Sequence, residues 1–178
     1  MSDVPDIEQQ RVDARAAYLT GRFADAIEAQ RCVVEFADQD PHAALTDHLR
    51  LALYLYGAGD HVGRLTALEQ AERIFPDEPR VLENLGVTLL MLNRLDEARS
   101  KLKSAVTLGT DSFNVFDALA LCWGRASDRD KARESGERSL NLKDAAAVAS
   151  GAPFSVPTDA PTAFKPSDPD KNIIAFSL

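Results

Sequence analysis

From Ile7 onward, apolar residues recur every three or four positions in runs broken by short polar turns, the signature of amphipathic helices in series. The stretch LGVTLLMLNRLDEARSKLKSAV, residues 85–106, shows it best. Leucines at helical spacing surround three small side chains, Gly86, Ala98 and Ala105. Small residues on that schedule let two helices approach closely across a short turn, because no bulky side chain holds the backbones apart. Sliding the stretch forward by 34 residues gives LALCWGRASDRDKARESGERSL, with Ala120, Ala132 and Ser139 in the small positions. Sliding it back by 34 gives LALYLYGAGDHVGRLTALEQAE, which keeps Ala52 and Ala71 but has Arg64 in the middle place. Neighbouring Gly63 supplies the close contact there if the turn is shifted by one residue. A further 38 residues back, Ala14 and Ala26 fit, with Val33 third. Gly21, Gly59, Asn93 and Ser127 stand at equivalent positions, each where one helix should end and the next begin.

The pattern predicts four helix pairs: 8–20 with 23–38, 42–57 with 61–75, 78–92 with 95–108, and 112–125 with 129–143. The first repeat is longer by four residues, about one helical turn, which extends its second helix to near Asp38, before Pro41. Asp77 and Pro79 form a cap and first turn for the fifth helix.

A period of about 34 residues built from helix, turn and helix resembles the tetratricopeptide repeat (TPR). The third repeat carries the resemblance most fully. Leu82, Leu85, Gly86 and Leu89 stand where the family has its first-helix Trp, Leu, Gly and Tyr, and Leu95, Ala98, Leu102 and Ala105 follow its second-helix Tyr, Ala, Tyr and Ala. Phe116, Leu119, Ala120, Trp123 and Ala132 continue it, and Pro76 holds the terminal proline of the second repeat. The resemblance covers roughly residues 8–144 and implies an all-α fold, a right-handed superhelical solenoid of about four helix hairpins. It also implies a concave groove lined by the first helix of each hairpin. The family's groove positions, carried onto this chain, are Arg11, Arg15 and Tyr18; Leu49, Leu53 and Tyr56; Arg80, Glu83, Val87 and Leu90; and Asn114, Asp117, Leu121 and Arg125. An apolar strip edged by tyrosine and arginine suits a peptide segment or partner protein. Leucines at helical spacing also build cores, so a helix phase shifted by one position turns Leu53 or Val87 inward. Some members of the family clamp a partner's C-terminal carboxylate; here Arg11, Arg15, Arg50 and Arg80 are available, but arginines occupy two places where that subfamily has asparagine.

Composition narrows the functional classes. Only 7% of the 178 residues are aromatic, and the formal charge of −8 with a pI near 4.9 disfavours a nucleic-acid partner, which needs a large excess of Lys and Arg. No apolar stretch approaches the roughly 20 residues of a membrane span, and MSDVPDIEQQ lacks the features of a signal peptide, so no membrane partner and a cytoplasmic location are expected. Cys32 and Cys122 have no metal-like spacing and read as reduced, packed helix residues. His42, His48 and His61 are never four residues apart, which argues against a helical metal pair and for surface or interface roles. Asp96 and Glu97 read as first-turn charges that complement a helix dipole. Trp123 coincides with a large apolar position of the repeat and reads as core. Neither a phosphate loop after a strand nor a GxSxG elbow occurs, so no cofactor and no catalysis are expected within residues 1–145.

Four segments follow: a flexible N-terminus at 1–7, the repeat domain at 8–146, a proline-rich linker at 147–171 and an apolar tail at 172–178. The repeat pattern stops after Lys143, and prolines at 153, 157, 161, 166 and 169 precede NIIAFSL, a short β-prone run. One reading makes KNIIAFSL the opening strand of a further domain, for which IAFSL resembles the start of a glycosyltransferase-like domain found after TPRs in some bacterial proteins; the repeats would then be an accessory domain of a larger enzyme. In another, the tail docks on the repeats of its own chain or a neighbour's. A third reading is an oligomerisation scaffold, self-associating through the C-terminal flank or the tail.

Overall fold

The computed structural model describes residues 6–36 and 41–150. Its regular elements are all α-helices: α1 (Ile7–Leu19), α2 (Phe23–Phe36), α3 (Pro41–Gly57), α4 (His61–Ile74), α5 (Pro79–Met91), α6 (Leu95–Thr107), α7 (Phe113–Arg125) and α8 (Arg129–Ser150). The expected helix end near Asp38, the linker beyond Ser150 and the apolar tail lie outside the described residues. Two compact units divide the described chain, one ending at Pro76 and the other beginning at Asp77. In the first, α1 pairs with α2 and α3 with α4, and α2 packs on α3; in the second, α5 pairs with α6 and α7 with α8, and α6 packs on α7.

Most boundaries fall within a residue or two of those predicted from the sequence. The exception is α8, which runs to Ser150 rather than 143. DAAAVAS contains four alanines and no Gly or Pro, so the helix continues without a repeat partner to dictate it. The cap of α5 is Glu78, whose carboxylate accepts the Arg80 amide at 3.3 Å, rather than Asp77, and Pro79 follows at the start of the helix.

The turn inside each hairpin is the same device four times over. Gly21, Gly59, Asn93 and Ser127 have φ of +75°, +73°, +60° and +62°. At each, the amide of the next residue donates to a carbonyl five positions back: Arg22 to Ala17 at 2.9 Å, Asp60 to Leu55 at 2.9 Å, Arg94 to Leu89 at 2.9 Å, Asp128 to Trp123 at 3.0 Å. This closes the helix end with a left-handed residue, which satisfies the last carbonyls and reverses the chain in minimal length.

Small residues sit where the helices meet. Ala14, Ala26, Ala52, Ala71, Ala98, Ala105 and Ser139 are all buried. A methyl group on Gly86 would lie 2.5 Å from Leu102 Cγ and 3.3 Å from the Ala98 carbonyl, so α5 and α6 approach there as closely as a side chain allows. The second hairpin departs from the scheme. Gly63 serves the cap of α4: its amide donates to the Asp60 carboxylate at 2.7 Å, and the atoms nearest a Cβ built there belong to Asp60. Arg64 itself fills the small position, fully buried, with its guanidinium 4.9 Å from the centre of the Tyr56 ring and its pKa pushed down to about 10 by burial.

Two substitutions test this geometry. Gly86→Ala should cost about 1–3 kcal/mol through overpacking against buried Leu102. Ser127→Gly should gain about 0.5–1 kcal/mol by relieving the left-handed backbone of a residue with a Cβ. Urea unfolding midpoints at equal slope would read both.

Candidate functional site

The first unit presents α1 and α3. Arg11 and Arg15 are half-buried on α1, while Tyr18 is almost fully buried, stacked on Tyr54 at 4.8 Å and edge-on to Phe23 at 5.7 Å. Burial pushes its phenol pKa up to about 12. Tyr18 is therefore core, set between α1, α2 and α3, and not a groove residue. On α3, Leu51 and Leu55 pack with Ala67 of α4 and with Ile27 and Val34 of α2. Leu49 and Leu53 lie two positions away from these, on the other side of the same helix, and are also buried. Tyr56, half-buried, turns toward Arg64 and His61 of α4.

A buried carboxylate gathers the cations of this unit. Asp47, 2% exposed, accepts from Arg11 at 2.6 Å, from Arg50 at 3.4 Å and from Gln30 Nε2 at 3.4 Å; the same amide donates to the Asp47 carbonyl at 3.1 Å. The hydrogen bond and the charge of Asp47 raise the pKa of Arg11, with Glu8 adding to it. Arg11 and Arg50 thus neutralise an internal carboxylate instead of waiting for that of a partner, which removes two cations from the carboxylate-clamp resemblance. The sequence signal for Asp47 is a single acid in the leucine-rich helix PHAALTDHLRLALYLYG.

The second unit presents α5 and α7. Every residue from Val81 to Leu90 is buried, including the predicted positions Glu83, Val87 and Leu90. Glu83 accepts from the Thr110 hydroxyl, and burial raises its pKa against that bond. Arg80 is half-buried. On α7, Asn114 is buried, Leu121 is 45% exposed, and exposed Arg125 donates to the Leu90 carbonyl at 3.4 Å, linking α7 to α5. Asp117 departs from the predicted strip: it turns to α8, accepting from Ser139 Oγ and Lys143 Nζ, both at 2.6 Å. Val87 and Leu90 are core residues, so of the predicted strip in this unit only Leu121 and Arg125 are exposed.

A second concavity, of about 750 Å³, lies on the other side of α7 between α6 and α8, lined by Val106, Phe116, Leu119 and Trp123. Trp123 is half-buried rather than core, with Arg99 at 4.6 Å and Lys131 at 4.5 Å from its ring centre. These cations come from α6 and α8, so only the packing of three helices assembles the arrangement.

His48 is buried against Phe75 at 6.1 Å, contrary to the surface role expected, and burial lowers its pKa despite the charge of Asp47. His42 is exposed and His61 half-buried. Cys122 is buried, its thiol pKa raised by desolvation; Cys32 is half-buried, and both are free. Among the described residues no group of three or more His, Cys, Asp or Glu is placed to hold a metal ion, and no helix is long and apolar enough to cross a membrane.

Solved structures share this architecture. A crystal structure of MamA superposes with a TM-score of 0.70 at 15% identity, covering 83% of this chain and 84% of that one. MamA residues 41 to the end from Desulfovibrio magneticus RS-1 gives 0.67 at 16% identity, covering 80% and 77%. YrrB, described as a TPR protein with an unusual peptide-binding site, gives 0.66 at 13% identity, covering 80% and 71%. The chain has the fold of tetratricopeptide-repeat proteins. No family model matches the sequence, and no curated protein matches it.

Asp47→Asn should destabilise the first unit by about 2–3 kcal/mol, because two cations lose the charge they were buried beside. His48 favours its neutral form in the fold, so its contribution is complete above the usual pKa of 6.5 and is lost as pH falls below it. The unfolding temperature should drop between pH 7.5 and 5.5, and His48→Gln should reduce that drop.

Proposed function

We propose that this protein is a non-catalytic interaction module that binds a peptide segment or partner protein on its first-helix faces. The observation that carries the reading is Leu121, 45% exposed on α7, with exposed Arg125 one helical turn on, an aliphatic and cationic pairing suited to an interface. The other apolar positions of the strip, Leu49, Leu53, Val87 and Leu90, are themselves buried and belong to the core. The fold supports the same reading, as YrrB has a peptide-binding site on this architecture. Function is still argued from the face and not from the fold alone.

Leu121 gives the cleanest test because it is exposed and its replacement should spare the fold. Peptides selected from a displayed library on the intact protein should bind Leu121→Asp at least about tenfold more weakly, a loss of about 1.4 kcal/mol. Leu108→Asp, on an exposed leucine after α6, should bind as the unaltered chain does. Equal binding to both variants by fluorescence anisotropy overturns the reading.

A further inference from the structure

We infer that the chain forms a twofold dimer through α8, with Leu140 of each copy seated on Gly136 of the other.

Two positions of α8 depart from the hairpin before it. There Leu102 is fully buried, and a methyl group on Gly86 would lie 2.5 Å from its Cγ. The residue 34 positions on is Gly136. A Cβ built on Gly136 would find nothing from another helix within 4 Å, and the residue is only half-buried. The volume that Leu102 fills in one hairpin is thus a hollow in the next. Glycine is the poorest helix former short of proline, yet this one stands well inside a 22-residue helix and meets no close neighbour that would demand it.

The second position is Leu140, 51% exposed. Its counterpart Val106 is half-buried on α6 and borders the concavity together with Phe116 and Leu119 of α7, the first helix of the next hairpin. Among the described residues no further first helix follows α8. Leu140 therefore holds an apolar side chain at a position of helix contact where the chain supplies no helix.

Gly136 and Leu140 lie one turn apart on the same side of α8, a hollow beside a projecting leucine. Such a surface fits itself. Two α8 helices running antiparallel about a twofold axis midway between these residues set each leucine in the other's hollow, as an isologous contact requires. Glycine at the crossing lets the helix axes come close. The charges agree with this pairing. Arg133, three residues before Gly136, and Asp144, four after Leu140, share that side and lie about 7.5 and 9 Å from the axis along the helix. The antiparallel arrangement brings Arg133 of each copy nearly level with Asp144 of the other, at both ends of the contact. A parallel arrangement would set Arg133 against Arg133. Both residues are exposed, and Arg133 donates to Glu137 at 3.1 Å in an exposed pair that is readily exchanged. Lys131 and Arg138, which border the concavity, lie on the opposite flank of α8 by helix geometry.

Sedimentation velocity of the full chain should show, with rising concentration, a species of twice the 19.4 kDa of one chain. Leu140→Asp should weaken dimerisation at least about tenfold, and so should Gly136→Leu, which fills the hollow with the side chain that the preceding hairpin carries there. Gly136→Leu should leave the helical circular dichroism unchanged or stronger, so a lost dimer in that variant is not a lost fold. The charges give an arm that misfolding cannot imitate. Arg133→Asp and Asp144→Arg should each weaken the dimer several-fold at low salt, and Arg133→Asp/Asp144→Arg should restore it, because the two residues are about three turns apart in one helix and meet only across the axis. The mass of a single chain at every concentration up to about 1 mM overturns the inference. A dimer indifferent to Leu140→Asp and Gly136→Leu, or charge variants that the double exchange does not rescue, overturns it as well. A benzophenone amino acid in place of Leu140 identifies the occupant: crosslinks to α8 between isotopically light and heavy chains support the dimer, and crosslinks within one chain to residues 151–178 overturn it.

Discussion

Each hairpin depends on two helices coming closer than ordinary side chains permit. At Gly86 the α5 backbone rests against Leu102 and the Ala98 carbonyl, and small residues are likewise buried at Ala14 and Ala26, and at Ala52 and Ala71. Dispersion between packed atoms falls steeply with separation, so a small residue at the crossing point gains contact along the whole length of both helices. Close approach in turn demands a tight reversal. The left-handed residues at 21, 59, 93 and 127 provide it and leave few carbonyls without a partner.

Where the small residue is missing, the fold compensates with polar chemistry. Arg64 occupies such a site whole, lying along the α3–α4 contact with its guanidinium over Tyr56. Its stem supplies packing and the ring face stabilises its charge, though desolvation still lowers its pKa. One helix away, Asp47 joins α1, α2 and α3 through Arg11 and Gln30. The first unit is thus held by an ionic network as well as by leucines, whereas the buried residues of α5 and α6 are mostly aliphatic, with Glu83, Asn84 and Thr88 the polar ones. Buried pairs of this kind fix which partners meet more than they add to stability.

The same constraint shapes the surfaces. The sides of α3 and α5 marked by Leu53, Val87 and Leu90 are buried as well, so the predicted strip reaches the surface of the second unit at Leu121 and Arg125 of α7. The outer side of α7 went another way: Phe116 and Trp123 are bordered by cations of α6 and α8, with Arg99 and Lys131 over the indole. One face favours burial of aliphatic groups and the other presents rings already engaged by positive charge.

Hairpin number, turn positions and the close contact at Gly86 could be read from the chain, because each depends on one residue's own stereochemistry, whereas the second hairpin's burial of Arg64 could not. A left-handed backbone selects Gly or Asn, a close crossing selects Gly or Ala, and helical spacing of leucines fixes the inner side. What faced outward could not be read in this way. Tyr18, Tyr56 and Asp117 all stood on the predicted groove strip, yet the first stacks in the core, the second turns to Arg64 and the third reaches back to Lys143. Those outcomes depend on which neighbour lies within reach, and a rotation of a helix by less than one position changes the answer. Asp47 and the cations around Trp123 are assembled from residues far apart in sequence, so no local pattern announced them. Sequence alone therefore settled how the helices pair, since pairing is a property of small and left-handed residues; packing in three dimensions settled which side chains are core, ion partner or surface, since that depends on groups the local sequence does not contain.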